Sequence, residues 1–105
     1  MSDTAPEKAQ EEKIIRSFFS SQSPLKLKQM PSKIAKAKVV AERVAREFEQ
    51  EKVYSEQEIN TVLKGIYPDY ATLRRTLIDF GFLTRSSDGR EYRAAEQAAE
   101  KRKDG

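Results

Sequence analysis

Cysteine and histidine are both absent from the 105 residues, and those two absences exclude the most chemistry. Without thiols there is no disulfide and no thiolate nucleophile, and without thiolate or imidazole the usual structural zinc sites have no ligands. Most nucleophile and general-base pairs lose their key member too, although Lys, Tyr, Asp and Glu remain. No convergent acid, base and nucleophile set can be named, so the chain reads as non-enzymatic and as needing no cofactor or metal. The glycines number only four, and none belongs to a phosphate-cradling or calcium-binding loop. Long apolar runs are missing as well. Nothing approaches the roughly 20 residues of a membrane span, and Met1 to Gln10 is polar and acidic, unlike a signal peptide. A cytoplasmic protein with no membrane partner is the expectation.

What is present is charge, at 35% of residues, beside 37% apolar residues. This balance permits one folded core with solvated helices, and 105 residues suit one domain. The net charge of +3 hides a strong asymmetry. Lys13, Arg16, Lys26, Lys28, Lys33, Lys36, Lys38, Arg43 and Arg46 face only Glu42 across their stretch. Glu47 to Glu58 then reverses the sign, with five glutamates against Lys52. A basic face for an anionic partner and an ordinary solvated helix surface account for this equally well.

Along the chain, residues 1–6 read as a disordered tail. Glu7 to Ser20 reads as a helix with Ile14, Ile15, Phe18 and Phe19 on one side. Ser20 to Pro24 breaks it, and Leu25 to Lys28 alternates like an edge strand. Ser32 is placed to cap a long helix whose stripe runs through Ile34, Ala37, Val40, Ala41, Val44, Ala45 and Phe48. Val39 lies off that stripe, and the sequence gives no physical reason for it.

The next helix carries a capping box, Ser55 with Glu58, and a hydrophobic staple, Tyr54 with Ile59. Ile59, Val62, Leu63 and Ile66 form its buried face, and Pro68 ends it. Asp69 caps a further helix from Tyr70 to Phe80, and Gly81 suits the left-handed position that terminates one. Strand-like runs at Phe82 to Arg85 and Arg90 to Arg93 flank Ser86-Ser-Asp-Gly89, a hairpin signal. Helix, helix, short turn, helix and hairpin is the order of a winged helix-turn-helix. The expected class is α+β, mostly helical: one winged-helix domain over residues 7–93 with an added N-terminal helix. Residues 94–105 are expected to form a charged helical or disordered extension.

Projection at the helical period puts Tyr70, Leu73, Leu77 and Phe80 on the core side of the third helix of that motif. Thr72 and Arg75 face outward, with Asp79 beside them and Ala71 and Thr76 on the flanks. Short residues around an arginine suit a major groove, where arginine bonds guanine and a threonine methyl meets thymine. Arg74 lies nearer the apolar edge, suited to a phosphate or a structural bond. Arg75 and Asp79 also have the spacing of a plain surface ion pair. Arg85, Arg90 and Arg93 on the hairpin, and Lys33 and Lys36 on the long helix, are phosphate candidates, the lysines opposing the positive helix end. The aromatic residues sit at core-like spacings, as packing groups and not as a base-stacking platform.

Leu27-Lys-Gln-Met-Pro-Ser-Lys33, Tyr54-Ser-Glu-Gln-Glu-Ile-Asn60 and Asp69-Tyr-Ala-Thr-Leu-Arg-Arg-Thr-Leu-Ile-Asp-Phe-Gly-Phe-Leu-Thr-Arg85 resemble the bacterial domain-of-unknown-function family numbered 2087. The resemblance covers about two-thirds of the chain, from Leu25 to Arg93. It implies a winged-helix-like module of transcriptional regulators, and it implies no catalytic residue or ligand. Three departures stand out: Ile34-Ala35 dilutes a cluster that is more basic in the family, Tyr67-Pro68 replaces a common histidine, and Arg93 replaces a frequent tryptophan.

The functional expectation is a transcriptional regulator that reads duplex DNA with the helix at 70–80 and a basic wing. Its candidate contacts are Lys33, Lys36, Thr72, Arg74, Arg75, Thr76, Arg85 and Arg90. The alternative is a protein-interaction or homodimerisation module, and a third option is RNA binding through the basic segment.

Overall fold

The computed structural model describes residues 4–94. In chain order it holds α1 (Thr4–Phe18), β1 (Phe19–Gln22), β2 (Leu25–Leu27), α2 (Ile34–Ala45), β3 (Val53–Ser55), α3 (Glu56–Ile66), α4 (Tyr70–Asp79), β4 (Leu83–Arg85) and β5 (Glu91–Ala94). The class is α+β: four helices and two small antiparallel sheets among the described residues.

The helix α1 starts at Thr4, inside the stretch expected to be tail. Pro6 falls in its first turn, where a missing N–H costs no bond. Phe19, expected on that helix, leaves it instead and opens β1, pairing with Leu27. The β1–β2 hairpin buries Phe19, Leu25 and Leu27. It also sends the Lys26 ammonium across to the carbonyl of Gly65 at 2.7 Å. That cation satisfies an orphan acceptor in the last turn of α3.

Ser32 does not cap α2. The N-cap is Lys33, extended at φ −83° and ψ 134°, with no side-chain bond. Pro31 is buried just before it, which anchors the chain and leaves Ser32 one residue too early to cap. Ile34, expected on the buried stripe, is 75% exposed. It stands at the free end of α2, ahead of the core residues Val40, Ala41, Val44 and Ala45. Val39 is half-buried, and the packing gives no account of it.

Helix α3 starts as expected: Ser55 Oγ accepts from the Glu58 N–H at 3.1 Å, and Glu58 Oε1 accepts from the Ser55 N–H at 2.9 Å. Its Ile59, Leu63 and Ile66 are buried. At α4, Asp69 Oδ1 accepts from the Thr72 N–H, and Gly81 ends the helix region at φ 83°. Leu73 and Leu77 of α4 are fully buried.

The hairpin is not two-stranded. β3 joins it as an edge strand, giving the order β3-β5-β4. The register pairs Tyr54 with Tyr92 and Leu83 with Ala94 on the core face, while Val53 and Thr84 flank Arg93 on the outer face. Ala94, expected to begin the extension, is buried in this sheet. The rest of the expected extension, and residues 1–3 of the expected tail, lie outside the described residues.

Candidate nucleic-acid interface

Helix α4 presents its chemistry on one side because its other side is fixed by burial. Leu73 and Leu77 point into the core, so Ala71, Thr72, Arg75 and Asp79 are exposed. Thr76 is half-buried on the flank, and its hydroxyl donates to the Thr72 carbonyl at 2.9 Å. This back-bonding is the usual resting state of a mid-helix threonine and leaves its methyl on the flank. The Arg75 side chain is 77% exposed, with Nε 3.8 Å from Asp79 Oδ2. At that exposure the ion pair contributes a few tenths of a kcal/mol, about the value of any solvated i,i+4 pair.

Arg74 has a different role from its neighbour. Its guanidinium donates to Asn60 Oδ1 of α3, and Glu56 Oε2 lies 3.9 Å away. With only 23% of the side chain exposed, this bond clamps α4 onto α3. Asn60 is missed by pattern reading, although one signal was available: asparagine is a poor helix former and sits here mid-helix without a capping role. Arg74→Met is expected to lower stability by about 1.5 kcal/mol, because a charge-assisted bond is lost and Asn60 is left without it. Urea unfolding measures this, and a loss below a few tenths would mean the clamp is idle.

The β4–β5 hairpin carries Arg85 at the end of β4, Arg90 in the turn and Arg93 on β5, all exposed. Arg85 and Arg93 border a shallow depression of about 220 Å³ with Thr84, Ser86 and Glu91. The turn itself is tightly built. Ser86 Oγ donates to Asp88 Oδ1 at 2.6 Å and accepts from the Glu91 N–H at 3.1 Å. The Arg90 N–H also donates to Asp88 Oδ1, at 3.0 Å, and Gly89 takes φ 74°. Bonding first from Ser86 and then from the Arg90 amide holds the Asp88 carboxyl below its ordinary range. A depressed carboxylate stabilises the fold above the ordinary value, and that contribution is lost as pH falls through the depressed one. Protection of the Arg90 and Glu91 amides, taken as exchange relative to the intrinsic rate at each pH, should therefore fall on acidification, and Ser86→Ala should shift the onset to higher pH. An onset unmoved by Ser86→Ala would count against the hydroxyl's part.

Lys33 and Lys36 are exposed but belong to another region. Lys36 lines an open groove of about 410 Å³ between α1 and α2, with Lys13, Ile14, Phe18 and Ala35. The structure thus gathers Thr72, Arg75 and Thr76 on α4, sets Arg85 and Arg90 on the β4–β5 hairpin, and withdraws Arg74 into a structural bond. Among the described residues no cluster of Asp and Glu is arranged to hold a metal, and no helix is long and apolar enough to cross a membrane.

Fold and surface together define a small α+β fold that exposes cations on α4 and the β4–β5 hairpin as well as on α2. The profile of the uncharacterized bacterial proteins called domain of unknown function 2087 matches residues 26–94, and the chain belongs to that family. No curated protein and no solved structure matches it.

Proposed function

We propose that the chain is a winged-helix DNA-binding domain of a transcriptional regulator, with α4 as the helix that enters the major groove. The observation that carries this reading is the outer flank of α4, where Thr72 and a 77% exposed Arg75 stand clear of the core. The scaffold reading is supported by the order α2, β3, α3, α4, β4, β5 and by a sheet ordered β3-β5-β4. A helix-turn-helix followed by a hairpin, with the strand between the first two helices added at the hairpin's edge, is the arrangement of a winged helix. Arg85, Arg90 and Arg93 then supply phosphate contacts beside the helix, which position without specifying sequence. Lys33 and Lys36 supply weaker contacts of the same kind.

Titrating duplexes selected from a random pool tests the reading. Arg75→Ala should cost about 1 to 3 kcal/mol on the preferred site and relax its specificity, whereas Lys36→Ala should weaken all duplexes alike and reduce the salt slope by about 1. Equal, sequence-independent losses from both changes would remove the base-reading role from Arg75.

A second reading has its own observation. The open groove lined by Ile14, Phe18 and Ala35, and the 75% exposed Ile34 that precedes Ala35 in the chain, are apolar surface, and such surface fits a protein partner or a second copy. A stable dimer in light scattering, with no salt-sensitive duplex binding, would favour it over the first.

A further inference from the structure

Asp79 is the only acidic residue within α4, and neither the fold nor general DNA affinity gains from it. It is the last residue of the helix, and no basic residue shares that turn. An anion at the negative end of the helix dipole is unfavourable by about 0.3 to 1 kcal/mol. The pair with Arg75, at 3.8 Å and with the two side chains 77% and 65% exposed, returns only a few tenths. On a surface meant only to attract phosphate, a carboxylate repels. The residue is therefore costly in both settings unless it meets a donor.

We infer that Arg75 and Asp79 together read one G·C base pair, the guanidinium donating to guanine and the carboxylate accepting from the N4 amino group of the paired cytosine. The inference rests on the DNA-binding reading. On the major-groove edge a G·C pair offers N7 and O6 acceptors on guanine, followed by the cytosine N4–H donor. Arg75 and Asp79 are neighbours one turn apart on the same exposed face, offering donors and then an acceptor. Asp79 Oδ2 approaches Arg75 at Nε, 3.8 Å away, so the terminal amino groups are the ones left to bond N7 and O6. The same row rejects the alternatives. In an A·T pair the adenine N6–H₂ meets the guanidinium and the thymine O4 meets the carboxylate, donor against donor and acceptor against acceptor. A reversed C·G pair fails likewise.

The test couples a protein change with a DNA change. Sites are selected by the intact chain from a random duplex pool, and the shared G·C pair receives one N4-methylcytosine. Its methyl group occupies the groove-facing N4–H and leaves Watson–Crick pairing intact. The wild-type chain should lose about tenfold in affinity, within the discrimination expected of a base contact. Asp79→Ala should be nearly indifferent to the methyl group and should bind unrelated duplexes more tightly than wild type. Asp79 is exposed, so circular dichroism and melting should show the variant folded as wild type. Equal responses of the two proteins to methylation would overturn the paired reading. So would selected sites without a shared G·C pair, or a uniform gain from Asp79→Ala with discrimination retained. In those three cases salt-sensitive duplex binding survives and the DNA-binding reading stands. Absence of any salt-sensitive duplex binding would overturn both.

Discussion

Replacing Leu73 by alanine is expected to remove about 2 to 5 kcal/mol of stability, a large part of the roughly 5 to 15 kcal/mol of a typical domain. Leu73 is fully buried in the single apolar cluster that also holds Val40 and Val44 of α2 and Ile59 and Leu63 of α3. The transfer free energy of the lost methyl and methylene groups is only part of the cost; the cavity left behind supplies the rest. Collapse into that cavity is opposed at both ends of α4, by the Asp69 cap and by the turn at Gly81. The Arg74 to Asn60 bond opposes it along the side. The loss should therefore fall in the upper part of the range. Leu73→Met, which conserves volume, should cost less than about 1.5 kcal/mol. The adjacent exposed change Thr72→Ala should stay within about 0.5 kcal/mol. Urea unfolding with an unchanged slope measures all three. A Leu73→Ala loss below that of Leu73→Met would show that α4 is not seated on this core.

The parts of the fold that were legible in the sequence are those whose signals are local. Ser55 and Glu58 bond each other's backbone across three residues, so a capping box reads without any knowledge of the rest. Asp69, Gly81 and the Asp88-Gly89 turn are equally local. β3 was not legible, because a strand of three residues exists only through its partner. Tyr54 becomes part of a strand by pairing with Tyr92, far along the chain, and the local pattern around it announces a staple and a cap instead. Phe19 was misplaced for the same reason: its pairing with Leu27 in β1–β2 overrides a helical stripe that continues through it.

The candidate interface divides along the same line. The outward position of Thr72 and Arg75 follows from helical period once Leu73 and Leu77 are known to be apolar. Arg74 could be placed only on the edge of that face, because its partners Asn60 and Glu56 come from another helix. The lysines illustrate a different limit. Charge counting joined Lys33 and Lys36 to a basic segment, but segment charge carries no direction, and Lys36 lies in the groove between α1 and α2.

Tyr54 provides the other large effect, and its two halves can be separated by two substitutions. The ring is buried and meets Phe48 edge-on at 5.3 Å and 77°, and Lys52 Nζ stands 5.0 Å from its centroid. The phenol oxygen accepts a bond from the Glu49 N–H at 2.9 Å. That bond ties β3 to the segment between α2 and β3, where Glu51 takes φ 61°, a conformation that costs a non-glycine residue about 1 to 2 kcal/mol. Tyr54→Phe keeps the ring and should cost about 1 kcal/mol by leaving the Glu49 amide unpaired. Its signature should be local: faster amide exchange at Glu49, with the core amides of α3 and α4 little changed. Tyr54→Ala also removes the ring from a core it shares with Phe48 and Tyr92, and should cost about 3 to 5 kcal/mol, comparable with other large aromatic truncations. Exchange should then accelerate throughout the domain, since global stability itself falls. If Tyr54→Phe accelerated exchange everywhere, or cost as much as Tyr54→Ala, the hydroxyl and not the ring would be the principal anchor of β3.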